Sequence, residues 1–176
     1  KFLIFLSSHD TIPDSETNGL QKTGRPGTNK FLSLEKWVST DLKSVEHIAP
    51  RSNQSGWDED LYERDGFQSI GNLTLLPTQI NSSAGNKGFK EKLLYYKHLA
   101  EPDQDKHQEL RNKAQNIGIE LNDKTIELLT KAKFNSHLAP LVSLDYDFKW
   151  DAEFVKARTK RMLEISWDKI SPWIFD

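Results

Sequence analysis

Ser44-Val45-Glu46-His47-Ile48-Ala49-Pro50 and Ile70-Gly71-Asn72-Leu73-Thr74-Leu75-Leu76-Pro77 decide how this chain is read. Each is a short apolar segment closed by a proline, which has no N–H to give to a strand ladder. They predict two β-strands, over 45–48 and 70–76, paired as a hairpin with a long insertion between them. Asn81-Ser82-Ser83 then offers helix-capping side chains. Beyond it Phe89, Leu93, Tyr96 and Leu99 recur near helical spacing, and Pro102 closes the segment. The expected unit is strand, strand, helix.

Outward from this unit the signals are plainer. Upstream, residues 2–6 form an apolar run that is either a strand or the tail of a helix. Residues 10–29 are rich in Gly, Pro, Thr, Ser and Asn and read as an irregular loop. Ser33 is positioned to cap a short helix through Trp37 toward Leu42. Inside the insertion, residues 51–56 are polar and turn-like and 57–64 suit a helical turn. Downstream, the patterns over 103–117, 123–132 and 151–167 are helical, with a shorter segment at 134–144 broken by Pro140. The fold class expected is α+β: one domain over 1–176, with a small core at about 44–99 and a helical extension at about 103–176. Lys1 is not an initiator methionine, and the chain is expected to be part of a longer protein.

Composition narrows the chemistry. The 176 residues carry 24 Lys and Arg against 26 Asp and Glu, a net charge of -2. The mean hydropathy is -0.68. A globally basic nucleic-acid surface is therefore absent, although Lys87, Lys90, Lys92, Lys97, Arg111 and Lys113 gather after the hairpin. Asp58, Glu59, Asp60 and Glu63 lie in the insertion. No run approaches a membrane span, and no secretory leader is evident. There is no cysteine, so disulfides, thiolate nucleophiles and Cys-based zinc sites are excluded. A metal would have to sit among His, Asn, Asp, Glu and water, a donor set that suits Mg²⁺ or Mn²⁺.

Phosphodiester hydrolysis needs a base for water, positive charge on the phosphate and leaving oxygen, and a scaffold that aligns them. His47 can be the base, because imidazole titrates near neutrality. Glu46 can offer a carboxylate to a cation, and Asn81 a second oxygen. Asn72 can hold the loop and help orient His47. Neighbours on a regular strand point to opposite faces, so a shared site for Glu46 and His47 requires a bend or a strand end. Each residue also has a structural reading: Glu46-His47 as a structural pair, Asn72 as a turn cap, Asn81 as a helix N-cap.

Glu46-His47-Ile48, Gly71-Asn72-Leu73-Thr74-Leu75-Leu76 and Asn81 together resemble the C-terminal HNH nuclease domain of GmrSD-like and SspE-like restriction enzymes (type IV and phosphorothioate-linked). The nine positions from Asn72 to Asn81 match the step from the middle Asn to the metal-binding residue of such sites. Asn86, Phe89, Lys92, Trp150, Arg158 and Trp167 extend the likeness over about 44–167. The resemblance implies a ββα-metal (HNH, or His-Me finger) core surrounded by a mainly helical layer. It implies a hydrolase that nicks or cuts DNA with Mg²⁺, Mn²⁺ or a similar divalent cation. His47 would be the general base, Glu46 and Asn81 the metal ligands and Asn72 the support of the loop. Glu46 stands where many such sites have Asp, and Asn81 where many have His; both keep a donor for the cation. The implied setting is the effector part of a bacterial anti-phage restriction system, in the cytoplasm. The implied partners are DNA and an N-terminal sensor and NTPase half of the same protein.

Arg51, Asn86, Lys87, Lys90 and Lys92 are the expected DNA contacts, with a solvated face as the plain alternative. Trp150, Trp167 and Trp173 read as core anchors and Arg158 as the partner of a carboxylate in the helical layer. Two other functions fit the same residues: a catalytically silent DNA-binding or interaction module of this fold, and an RNase.

Overall fold

A computed structural model of the chain describes residues 1–53 and 56–175. Of the turn expected over 51–56, Gln54 and Ser55 lie outside the described residues. The 2–6 run is helical: α1 spans Phe2–Ser8. The expected loop at 10–29 instead contains a small hairpin, β1 (Thr11–Pro13) and β2 (Gln21–Thr23). Local propensity gives no hint of it, because tertiary contacts order it. Arg161 donates to Asp14 Oδ2 at 2.9 Å and to the Gln21 carbonyl at 2.8 Å. Ser33 caps α2 (Leu34–Val38), accepting from the Lys36 N–H at 3.2 Å.

The central hairpin is formed by β3 (Ser44–His47) and β4 (Leu73–Leu76), antiparallel, with Glu46 opposite Thr74 and His47 opposite Leu73. The second strand is shorter than expected. Residues Ile70–Asn72 make a 3₁₀ turn that delivers the chain into β4. The insertion holds two further 3₁₀ segments, Glu59–Leu61 and Glu63–Gln68. Its acidic character has one structural use, since Asp58 accepts from the Ala152 N–H at 2.8 Å.

After the hairpin come α3 (Thr78–Ala84) and α4 (Phe89–Leu99). Asn81 therefore lies within α3 and does not cap a helix. Pro77, at the N-cap, sets the start three residues before the capping signal. Then follow α5 (Asp105–Gln115), α6 (Asp123–Lys131), α7 (Ala139–Val142) and α8 (Ala152–Phe175). Pro140 begins α7 rather than breaking it, as proline does readily in a first helical turn. The last helix outruns its expected end at 167 and continues through Pro172. Lys169 anchors this extra length to α1, donating to the carbonyls of Leu6 and His9 at 3.0 and 2.6 Å.

Two apolar clusters flank the central hairpin. Leu76 joins Ile48, Ile80, Leu93, Tyr95, Tyr96 and Trp150 on the side of α3 and α4. Leu75, one residue earlier, packs with Ile4, Phe5, Phe31, Leu42 and Met162 on the side of α1 and α8. Strand alternation thus divides β4 between two cores. Trp150 is a core anchor, as expected. Trp167 and Trp173 are not, being 54% and 79% exposed on the distal part of α8.

α8 also crosses the turn before β4. A β-carbon on Gly71 would collide with the Val155 carbonyl and Thr159, so this contact admits only glycine. The Gly71 N–H donates to Thr159 Oγ1 at 3.0 Å. Arg158 is buried and donates to the Gly71 and Leu73 carbonyls. These carbonyls take the place of the carboxylate expected for it, and the guanidinium also lies 5.8 Å from the Trp150 ring centre. Burial without a carboxylate lowers its pKa to about 10.

Candidate active site

The site is built on the end of β3. Alternation sends Glu46 toward α4 and His47 to the opposite face. Glu46 is 3% exposed, whereas His47 is half-buried at the surface. No bend brings the two side chains to one side.

His47 Nε2 lies 3.0 Å from Gln68 Oε1. An amide oxygen only accepts, so this bond places the ring proton on Nε2 and leaves Nδ1 as the basic nitrogen. Burial pushes the imidazole below its ordinary value; the Gln68 bond opposes this, and the charges of Arg51 and Lys92 add to it. The ring is therefore held neutral at neutral pH, as a base must be. Phe67 lies 6.3 Å away, centre to centre, and stacks on Tyr62 at 5.4 Å. Tyr62 in turn donates to the Pro50 carbonyl at 2.8 Å. Gln68 was not singled out from the sequence. A polar residue at the end of a long insertion gives no local signal of where it will fold back.

Asn72 is fully buried and saturated. Its Nδ2 donates to the carbonyls of Ala49 and Phe67, both at 2.8 Å. Its Oδ1 accepts from the Ala49 N–H at 2.8 Å and from Trp150 Nε1 at 2.9 Å. The backbone adds Ile48 N–H to Asn72 O at 2.9 Å. With all its bonds spent, Asn72 does not touch the imidazole. It fixes the chain that leaves His47 and the segment that carries Gln68.

The expected metal pair is arranged differently from the sequence reading. Glu46 Oε1 accepts from Lys92 Nζ at 2.6 Å, and the same ammonium donates to the His47 carbonyl at 2.8 Å. Burial pushes the Glu46 carboxyl up, against the pull of Lys92. Burial likewise pushes Lys92 down, against Glu46. Asn81 Nδ2 donates to Ser44 Oγ at 2.6 Å and to the Val45 carbonyl at 3.2 Å, which pins α3 onto β3. A cation at Glu46 would have to enter beside a fully buried ammonium, so this donor set does not fit a shared divalent ion. Among the described residues no three His, Asp or Glu side chains form a metal-binding group either.

The expected DNA contacts separate. Arg51 is exposed on the bend after Pro50, near enough to act on His47. Lys92 is withdrawn from that role, because it is 0% exposed inside the fold. Lys87, just before α4, is paired with Glu91 in its first turn. Lys90 is paired with Asp147 at 2.6 Å. It lines a cavity of about 600 Å³ with Phe89, Gly118, Tyr146 and Phe148, one that does not include His47. Asn86 lies in the turn between α3 and α4.

Among the described residues no helix is long and apolar enough to cross a membrane. No curated protein matches the chain. Residues 10–165 match the family model for the C-terminal domain of GmrSD restriction endonucleases. That span takes in both hairpins, the clamped turn before β4 and most of α8. The chain therefore belongs to the GmrSD restriction endonuclease C-terminal domain family, a nuclease domain of the restriction-endonuclease type.

Proposed function

We propose that the domain cleaves DNA phosphodiester bonds by an HNH-type mechanism, with His47 as the general base. The observation that carries this reading is the His47–Gln68 bond at the half-buried end of β3. Among the described residues no hydrogen bond is made to Nδ1 of this neutral imidazole, the form that can take a proton from water. The activated water attacks phosphorus in line with the leaving oxygen. Arg51 is positioned to hold a phosphate beside the ring, giving positive charge without base reading. Asn72 keeps the base loop and the Gln68 segment in register.

A divalent cation such as Mg²⁺ or Mn²⁺ would supply charge neutralisation at the phosphate and leaving oxygen. Glu46 and Asn81 as arranged do not form its site. The role that fits the family is the effector of a bacterial anti-phage restriction system in the cytoplasm. It would act beside an N-terminal sensor and NTPase half of the same protein. The strand–strand–helix run from β3 through α3 supports a ββα core.

Nicking of supercoiled plasmid in Mg²⁺ buffer, by wild type and His47→Ala, tests the reading. Wild type should convert plasmid to open-circular or linear form, and the variant should not, with its melting temperature preserved. Equal activity in the two proteins would defeat the assignment, and inactivity in both would favour a silent module. A labelled RNA run alongside decides between DNase and RNase.

A further inference from the structure

We infer that Glu46 is a positioning residue that locks the base-bearing strand onto α4 through Lys92, and is not a ligand to a divalent cation. The inference rests on the nuclease reading of His47 given above.

One ammonium joins two consecutive residues of β3. Lys92 Nζ bonds the Glu46 carboxylate at 2.6 Å and the carbonyl of His47 at 2.8 Å. The first bond fixes the side chain before the base, and the second fixes the peptide plane after it. Between them the direction of the His47 side chain is set from inside the protein. Gln68 then sets the ring from outside.

The surroundings leave little room for a metal. Lys92 is fully buried and Glu46 nearly so. Burial pushes the hydroxyl of Tyr96, one helical turn beyond Lys92, well up, and the Glu46 charge pushes it further. Mg²⁺ retains several waters and demands near-octahedral oxygen ligands, which a buried slot holding an ammonium does not provide. Asn81 spends its amide nitrogen on Ser44 and the Val45 carbonyl, which ties α3 to β3. Both residues offered by the sequence as cation ligands are thus used to tie β3 to helices, Asn81 from α3 and Glu46 from α4.

The test uses Glu46→Gln, Lys92→Met and the neutral double variant Glu46→Gln/Lys92→Gln, whose two amides can still hydrogen-bond. Mn²⁺ affinity is measured by electron paramagnetic resonance, with melting temperature and plasmid nicking in parallel. A positioning role predicts Mn²⁺ Kd values within twofold of wild type in all three. It also predicts a nicking rate reduced at least tenfold in Glu46→Gln and restored to a tenth or more of wild type in the double variant. A tenfold loss of Mn²⁺ affinity in Glu46→Gln overturns the inference. So does a tenfold gain, or new binding, in Lys92→Met, because that would show a cation site which the ammonium merely blocks. A double variant as inactive as Glu46→Gln counts equally against it. Should Glu46→Gln fail to fold, the double variant carries the test, since it leaves no buried charge unpaired. If the wild type nicks no DNA, the nuclease reading fails, and the Mn²⁺ affinities still decide the role of Glu46. If no protein binds Mn²⁺ measurably, the nicking rates decide: recovery in the double variant supports the positioning role, and no recovery overturns it.

Discussion

The two faces of the β3–β4 hairpin carry adjacent residues with opposite fates. On the inner face Glu46, Lys92 and the nearby Asn72 have each polar group matched by a partner and almost no exposure. The outer face is covered by the Leu75 cluster farther along, but at its strand end His47 is only half-buried and bonds Gln68 through one ring nitrogen, with Arg51 exposed nearby. The difference teaches that the hydrogen-bonding capacity open to a substrate is what remains after the fold has used what it needs. A single-residue step along a strand, which reverses the side-chain direction, is enough to separate the two.

The comparison breaks most directly at His47. His47→Ala should lower plasmid nicking by roughly 10²–10⁴-fold, the usual worth of a general base, with the melting temperature unchanged. A comparable rate in the variant would place the reactive group elsewhere. On the inner face, Asn72→Ala should cost about 4 kcal/mol of stability, because Ala49 N–H and Trp150 Nε1 lose their acceptor in a buried site. Urea unfolding measures this, and a loss below about 1 kcal/mol would mean that Asn72 is not the hub described.

Buried histidines extend the contrast to pH. His98 and His137 are both pushed down to about 4, mainly by burial. They stay neutral in the fold, while the unfolded chain takes up protons near the ordinary imidazole value of about 6.5. Their contribution is therefore present above that value and is lost as pH falls from about 6.5 toward 4, by roughly 3 kcal/mol each. Urea titrations across that window, with His137→Gln as a control, should show the slope and its reduction. A flat stability profile would contradict the burial of these rings.

Smaller effects are expected on the outer face. Gln68→Ala should reduce the rate by about tenfold. Because the Gln68 bond raises the His47 pKa, its loss should also move the acidic limb of the pH–rate profile to lower pH. A limb that stays in place would separate Gln68 from the base. Lys90→Ala should have the smallest effect, within about twofold, since an exposed pair is worth about 0–1 kcal/mol and this one is made with Asp147. A large loss of DNA binding there would extend the outer face to the Phe89 cavity.

Much of this was readable from residues. The two proline-terminated strands, the helix behind them and the place of His47 on the first strand are all in the sequence. Propensity and periodicity are local, and these segments are locally consistent. The β1–β2 hairpin was not readable, since Arg161 and α8 hold it from far along the chain. The exposure of Trp167 and Trp173 was also hidden, because α8 runs past the core that an apolar helix residue would otherwise join.

The sequence by itself determined which groups stand together on one strand: an acid, then an imidazole, with an asparagine on the partner side to close the loop. It also determined the family, because that combination and its spacing are carried in the chain order. Only the tertiary structure decided their partners. Lys92 reaches Glu46 across 46 positions of chain, and Gln68 reaches His47 across 21. The physical reason is that a carboxylate is a ligand, a salt-bridge partner or a base according to what charge lies within about 3 Å of it. That neighbour is set by how helices pack on the hairpin, not by the residues beside it in sequence.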